Sequence, residues 1–247
     1  MKFKEFIDKA LFYVSVPKCA ACGERLLVSD KALCDACSAK YRDFLKFNCS
    51  RCAKPYYECE CTNKFLKAHY VNKVYKVFRY FPGDEPPSNM LIYRLKRNNR
   101  RDIRAFLCDE LFASLMNKRI KLDNTVITSV PRRRASVRKY GFDHAEKLAR
   151  ALAKKLGLRY CKLLKSLAKH DQKKSGDKDS RLANANFDYK RRAPDITGKN
   201  VIIVDDIITT GASIGVCATL LHGLGAKKIY ALALSVAYRD EYTPINK

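Results

Sequence analysis

Val201-Ile202-Ile203-Val204-Asp205-Asp206-Ile207-Ile208-Thr209-Thr210-Gly211-Ala212-Ser213 decides the fold of this 247-residue chain. Four consecutive apolar, β-prone residues fit a strand covered on both faces, as in a parallel sheet. Two carboxylates close the run. Neighbouring side chains on a strand point to opposite faces, so both acids reach one ligand only if the chain begins to turn there. The carboxyl end of such a strand is where ligands settle in open α/β sheets. Small hydroxyl-bearing residues around Gly211 then open an apolar helix through Ile214, Val216, Cys217, Leu220 and Leu221. Free N–H groups at a helix start, the positive end of its dipole and Thr or Ser hydroxyls favour an anion. Carboxylates close by suit vicinal hydroxyls or a metal ion. The pattern describes a site for a ribose 5-phosphate, and no GxxxxGK[ST] loop occurs to offer a different phosphate site.

Working upstream, Val126-Ile127-Thr128-Ser129-Val130-Pro131 reads as a second buried strand stopped by proline, with Arg132-Arg133-Arg134 directly after it. Guanidinium forks suit a diphosphate. Asp143 followed by Glu146 predicts a capping box for a helix from Ala145 to Leu156. His144 lies beside these arginines and is a candidate group. Arg159 to Leu164 predicts another strand, Lys165 to Arg181 a polar loop, and Ile229 to Val236 a last buried strand. That loop suits a mobile lid, a basic arm on DNA or a solvated connection. Strands alternating with helices predict a parallel sheet flanked by helices.

Between His69 and Phe81 aromatic and branched residues alternate with Lys73, Lys76 and Arg79. An ordinary edge strand and a surface that stacks bases both fit this composition. Pro82, Gly83, Pro86 and Pro87 turn the chain, and a helix from Ile103 to Leu115 follows. The intervening Lys96-Arg97-Asn98-Asn99-Arg100-Arg101 is a basic corner.

Lys and Arg number 50 against 25 Asp and Glu, a formal charge of +25, with 47% hydrophobic residues. That composition supports a folded core and excludes wholesale disorder. The charge favours a polyanionic partner, although solubility alone also accounts for part of it. Candidate nucleic-acid contacts are Lys96, Arg97, Arg100, Arg101 and Arg134, with Lys173 and Lys174 in the polar loop. No membrane span or cleavable leader is evident, so membrane insertion is not expected.

Eleven cysteines include Cys19-x2-Cys22, Cys34-x2-Cys37, Cys49-x2-Cys52 and Cys59-x-Cys61. Such pairs bite a tetrahedral metal from a turn, and two pairs close a four-sulfur shell. Cys19, Cys22, Cys34 and Cys37 are assigned to one zinc, and Cys49, Cys52, Cys59 and Cys61 to a second. A cross-braced pairing and an iron–sulfur cluster are the alternatives. Four thiolates leave no place for water, so both metals are expected to be structural. Metal spacing rather than disulfide spacing points to a reducing, cytoplasmic setting. Cys108, Cys161 and Cys217 fall in apolar patterns and are expected in the core. A helix precedes Pro17, and the chain divides into a helix and zinc-binding module over 1–66 and an α/β domain over 67–247.

The strand, two acids and Thr-Thr-Gly-x-Ser resemble the 5-phosphoribosyl 1-diphosphate (PRPP) loop of type I phosphoribosyltransferases. The resemblance implies that Asp205 and Asp206 hold the ribose hydroxyls. It gives the 5-phosphate to Thr209, Thr210, Gly211, Ala212 and Ser213. The diphosphate loop then falls on Pro131, Arg132, Arg133 and Arg138, and magnesium accompanies PRPP. Cysteine ribbons, a basic middle and this loop in that order resemble the ComF family, in which an R-G-F-N-Q segment precedes an A-x-x-L-A helix. Gly141, Phe142 and the helix residues Ala145, Leu148 and Ala149 match, whereas Tyr140, Asp143 and His144 replace Arg, Asn and Gln. The family's R-x-x-N-x-x-F appears as Arg181-Leu182-Ala183-Asn184-Ala185-Asn186-Phe187. Membership implies handling of incoming single-stranded DNA during natural transformation, beside a competence helicase. A working phosphoribosyltransferase acting on a nucleobase, and a zinc-ribbon scaffold for the helicase, are the competing readings. No residue is singled out as catalytic.

Overall fold

The computed structural model describes residues 17–26, 31–98, 100–118, 120–167 and 186–237. The expected N-terminal helix, Lys173, Lys174 and the Arg181-to-Asn184 motif lie outside them. In chain order the elements are α1 (Asp35–Leu45), α2 (Lys64–Ala68), β1 (Val71–Arg79), α3 (Pro87–Arg97), α4 (Arg101–Met116), β2 (Thr125–Ser129) and α5 (Arg134–Tyr140). There follow α6 (His144–Leu156), β3 (Arg159–Tyr160), β4 (Leu164–Ser166), β5 (Phe187–Tyr189), β6 (Asn200–Ile208), α7 (Ala212–Gly223) and β7 (Lys228–Val236). Five strands make one parallel sheet in the order β1-β7-β6-β2-β3, as the alternation of strands and helices predicts. Strand β4 pairs antiparallel with β5 in a separate ribbon.

The apolar run of β6 is buried because helices cover both sheet faces. Ile202 and Val204 pack with α3, α4 and α6 through Leu91, Ile103, Leu107, Leu111, Leu148 and Leu152. Val201 and Ile203, of opposite parity, pack with α7 through Ile214, Cys217, Ala218 and Leu221. The cysteine segments are divided between the two layers. Cys19, Leu26, Leu33, Cys37 and Tyr41 join the first core, and Cys49, Tyr56, Cys59 and Leu66 join the second. Buried Tyr41 donates to Glu110 Oε2 of α4 at 3.0 Å, and Arg100 Nη2 donates to the Lys18 carbonyl at 2.7 Å. These bonds tie the first cysteine segment to α4.

Two sequence expectations need correcting. Arg159 to Leu164 is not one strand: β3 stops at Tyr160 once Cys161 N–H reaches the Ile127 carbonyl, and the chain leaves the sheet to pair with β5. Nor does β6 end at the two acids. Its ladder with β7 continues through Asp205↔Ala233, Ile207↔Ser235 and Ile208↔Val236.

Candidate functional site

Because the strand runs on, Asp205 and Asp206 follow its alternation and point to opposite layers. Asp206 is buried on the layer of α3 and α6. Its Oδ1 accepts from Ile207 N–H at 2.7 Å, and its Oδ2 lies 2.5 Å from His144 Nε2 and 3.2 Å from Lys96 Nζ. Burial opposes the charge, but Lys96 and His144 outweigh it and hold this carboxyl well below the usual range. Half-buried Asp205 accepts from Asp206 N–H at 2.8 Å. Burial and the neighbouring Asp206 charge push it up to about 8. The two acids therefore differ: Asp206 is held as an anion, whereas Asp205 favours its protonated form near neutrality.

His144 connects this acid to the loop after β2. Arg132 Nη1 lies 2.5 Å from His144 Nδ1, so the guanidinium donates there and His144 Nε2–H donates to Asp206. Arg132 N–H donates to Asp143 Oδ2 at 3.2 Å, and its guanidinium lies 4.9 Å from the Tyr140 ring centroid. Tyr140, Asp143 and His144, the three departures from the ComF pattern, thus all touch Arg132 or its partner. Asp143 caps α6 through Glu146 N–H at 3.1 Å as expected, but Glu146 turns its carboxylate to Arg150 and Lys162 instead of back to the cap. Part of the segment read as a diphosphate loop is helix α5, which carries Arg134 and Arg138 on its exposed side and ends at Gly141.

Gly211 caps α7 with φ 86°, and Thr210 Oγ1 accepts from Ala212 N–H at 3.3 Å. That left-handed conformation favours glycine, and a Cβ there would also lie 3.0 Å from Leu66. A Cβ on Gly215 would lie 2.8 Å from Phe65. Helix α2, directly after the second cysteine group, is thereby seated on the start of α7. Thr209 to Ser213 form the expected turn and helix start, aligned with the dipole of a 12-residue helix.

The cysteines gather as the sequential assignment has it: Cys19, Cys22, Cys34 and Cys37 in one group, Cys49, Cys52, Cys59 and Cys61 in the other, with sulfurs within 4.8 Å of one another. A tetrahedral zinc with bonds of about 2.3 Å places sulfurs about 3.8 Å apart, and Cys22 Sγ lies 3.7 Å from Cys34 Sγ. The donor set and spacing fit zinc. Two similar knuckles supply the first pairs. Lys18 bridges Arg25 and Asn48 bridges Pro55, with Cys19 N–H donating to Glu24 O and Cys49 N–H to Lys54 O. Gly23 takes φ 80° in the first, whereas Ala53 takes φ 56° in the second. Burial raises the Cys19 thiol, but N–H groups of Cys34, Cys22 and Ala21 outweigh it and bring it to about 7. Fully buried Lys76 donates to the Cys61 carbonyl at 2.8 Å and its charge favours the Cys59 thiolate against burial. An ammonium there would offset the negative charge of a zinc–tetrathiolate group held by these cysteines. Cys108, Cys161 and Cys217 are buried as expected.

Of the residues read as nucleic-acid contacts, Lys96 is engaged by Asp206, and Arg100 by Asp102 and Lys18. Arg97, Arg101 and Arg134 are exposed. The site role of Lys96 had no local signal in sequence, since α3 reaches Asp206 only through tertiary packing. Among the described residues no helix is long and apolar enough to cross a membrane.

A parallel sheet with an acid pair late in one strand and a Thr-Thr-Gly-x-Ser turn opening the next helix has the architecture of a phosphoribosyltransferase-like protein. Residues 101–247 match the phosphoribosyl transferase domain, and the chain belongs to that family. Competence protein F of Haemophilus influenzae is 25% identical over 230 residues, covering 89% of this chain and 97% of that protein. The DNA utilization protein YhgH of Salmonella typhimurium is 24% identical over 226 residues, covering 87% and 95%. Together with the family match, these full-length likenesses support a ComF-type protein. A ribose-phosphate pyrophosphokinase of Thermococcus kodakarensis is 41% identical over 85 residues, 34% of this chain and 25% of that enzyme. Adenine phosphoribosyltransferase of Saccharomyces cerevisiae is 22% identical with a TM-score of 0.36, covering 64% of this chain and 81% of that one.

Proposed function

We propose that this protein binds and handles single-stranded DNA in the cytoplasm during natural transformation, and that the carboxyl ends of β6 and β2 with the start of α7 take Mg-PRPP. The observation that supports the site is the chain of contacts Asp206–His144–Arg132, which ties β6, three residues before the turn from Thr209 to Ser213, to the loop after β2. In this reading Asp206, from the α3 and α6 layer, and Asp205, from the α7 layer, approach the ribose hydroxyls from opposite sides of β6, the α7 start receives the 5-phosphate, and Arg132, with Pro131, Arg133 and Arg138, serves the diphosphate. Ribose or a metal ion reaching Asp206 competes with Lys96 and His144 for its Oδ2. Anion-binding N–H groups, guanidinium forks and carboxylates are the donor and acceptor types that the three parts of this ligand call for.

A DNA partner is supported by the +25 charge and by the names of relatives that match most of this chain, a competence protein and a DNA utilization protein. In this reading the cysteine module, 1–66, holds two structural zinc ions, braces the 67–247 domain and is the surface offered to a helicase partner. Fluorescence anisotropy of labelled single-stranded DNA, titrated with protein at several salt concentrations, tests the reading. Binding should weaken steeply with salt, by about 0.7 in log K per log salt for each phosphate neutralised. Failure to bind at moderate salt, with diphosphate released from Mg-PRPP in the presence of a base, would favour the phosphoribosyltransferase reading instead.

A further inference from the structure

Most of the aromatic stretch between His69 and Phe81 is interior: Tyr75 and Phe78 are buried in the sheet, and the segment is largely the edge strand β1. Tyr70 is the exception. It is 47% exposed and takes φ 65°, an uncommon conformation for a bulky side chain. Its ring lies on the His222 ring at the end of α7, with centroids 3.8 Å apart and planes within 7°. The two rings stand in a groove of about 450 Å³ that Lys67, Asn72 and Lys227 also line, with no acidic residue among its lining groups. Asn72 Oδ1 accepts from Ile229 N–H at 2.8 Å, fixing the groove floor to the sheet. A second hollow of about 390 Å³ shares Lys67 and Asn72, but Glu58 and Glu60 line it beside Lys54 and Lys73, and Lys73 pairs with Glu60 at 2.6 Å, so the acid-free basic surface is confined to the first groove.

An exposed flat ring, held rigid by a stacked partner and flanked by exposed lysines, has the chemistry that binds single-stranded nucleic acid. A base stacks on the ring face and ammonium groups neutralise the flanking phosphates. We propose that Tyr70, backed by His222 and flanked by Lys67 and Lys227, is a base-stacking platform for single-stranded DNA. The inference rests on the DNA-handling reading above and assigns it a site. The platform lies at the amino end of the sheet beside Val71 and Ile229. Asp206 stands five residues further along β6 from Val201, the partner of Ile229, about 17 Å away at 3.3–3.4 Å per residue. DNA on the platform and a sugar phosphate at the carboxyl ends of β6 and β2 therefore occupy different ends of one fold. Segment Phe65 to Tyr70, which touches Gly211 and Gly215 at one end and His222 at the other, runs between them.

The chain contains no tryptophan, so Tyr70→Trp installs a single fluorophore on the platform. Emission excited selectively from the indole should fall as single-stranded DNA is added, with the same midpoint as the anisotropy of a labelled strand, and a duplex of equal length should leave it unchanged. Rising anisotropy with constant emission, or equal quenching by duplex, overturns the platform while leaving DNA handling intact. Absence of any anisotropy change removes both. Two further variants avoid dependence on the new side chain. Tyr70→Ala should weaken single-stranded DNA binding by about tenfold or more. Lys67→Ala with Lys227→Ala should make the salt dependence shallower by about 1.4 in log K per log salt, with the heat of Mg-PRPP binding unchanged. Retained wild-type affinity in the first and slope in the second contradict the assignment.

Discussion

Replacing Asp205 and Asp206 together by alanine should abolish Mg-PRPP binding in calorimetry, a loss of at least about 100-fold. Asp206 as an anion, and Asp205 once the ligand or its metal draws off its proton, are expected to make charge-assisted hydrogen bonds worth about 1.5–3 kcal/mol apiece. The single variants separate ligand binding from folding. Asp205 holds its proton to about pH 8 because burial and Asp206 disfavour its charge. Between about pH 4 and pH 8 the folded chain therefore keeps a proton that the unfolded chain has released, and stability falls as pH rises through that window. Asp205→Asn removes the cost, so it should melt at or above the wild-type temperature at pH 8 while still losing PRPP affinity. Asp206 has the opposite sign. Lys96 and His144 depress its pKa, so its contribution is present above about pH 4 and is lost as pH falls further. Asp206→Asn should cost stability at neutral pH by leaving Lys96 and His144 without their anion. An unchanged binding heat in a folded Asp205→Asn protein and in the double variant would sink the ribose assignment.

Metal analysis should find about two zinc ions per chain, and strong chelation should unfold more than the cysteine segments. Apparent binding energies for structural zinc reach on the order of 10 kcal/mol, comparable with the whole stability of a domain. The two sites should also differ in what they release. The first is tied to α4 through Tyr41–Glu110 and Arg100–Lys18, on the layer of α3, α4 and α6. The second leads directly into α2, whose Leu66 and Phe65 pack against Gly211 and Gly215. Cys59→Ser should therefore weaken PRPP binding along with zinc binding, whereas Cys22→Ser should chiefly lower the melting temperature. One zinc or none, or a chelated protein with an unaltered melt, would refute the paired four-sulfur sites.

Much of this arrangement was legible because its signals are local. A run of four buried residues fixed β6 as a two-sided strand. Cysteine pairs two residues apart announced the knuckles, whereas the choice of sequential over cross-braced grouping came from the structure. Asp143 marked the start of α6 within one residue. What escaped sequence reasoning depended on distant partners. The acids lie inside β6 rather than at its end because β7 extends the ladder to Ile208. Only tertiary packing brings Lys96 from α3 and His144 from α6 to the same carboxylate oxygen. Nothing local separates exposed Tyr70 from buried Tyr75 in an aromatic stretch, since their difference is set by where β1 enters the sheet. Gly141, with φ 75°, did carry a readable stop signal for the short helix α5, but the arginines before it suggested a loop.

The central claim is that one protein joins a sugar-phosphate site to single-stranded DNA binding. Its most direct test is the affinity for labelled single-stranded DNA across salt, measured with and without saturating Mg-PRPP. Segment Phe65 to Tyr70 packs on the turn and helix start at Gly211 and Gly215 and carries the stacked Tyr70–His222 pair, so salt-steep binding is predicted whose affinity shifts several-fold when Mg-PRPP is present, with the same factor in reverse for PRPP. Absence of DNA binding at moderate salt would contradict it.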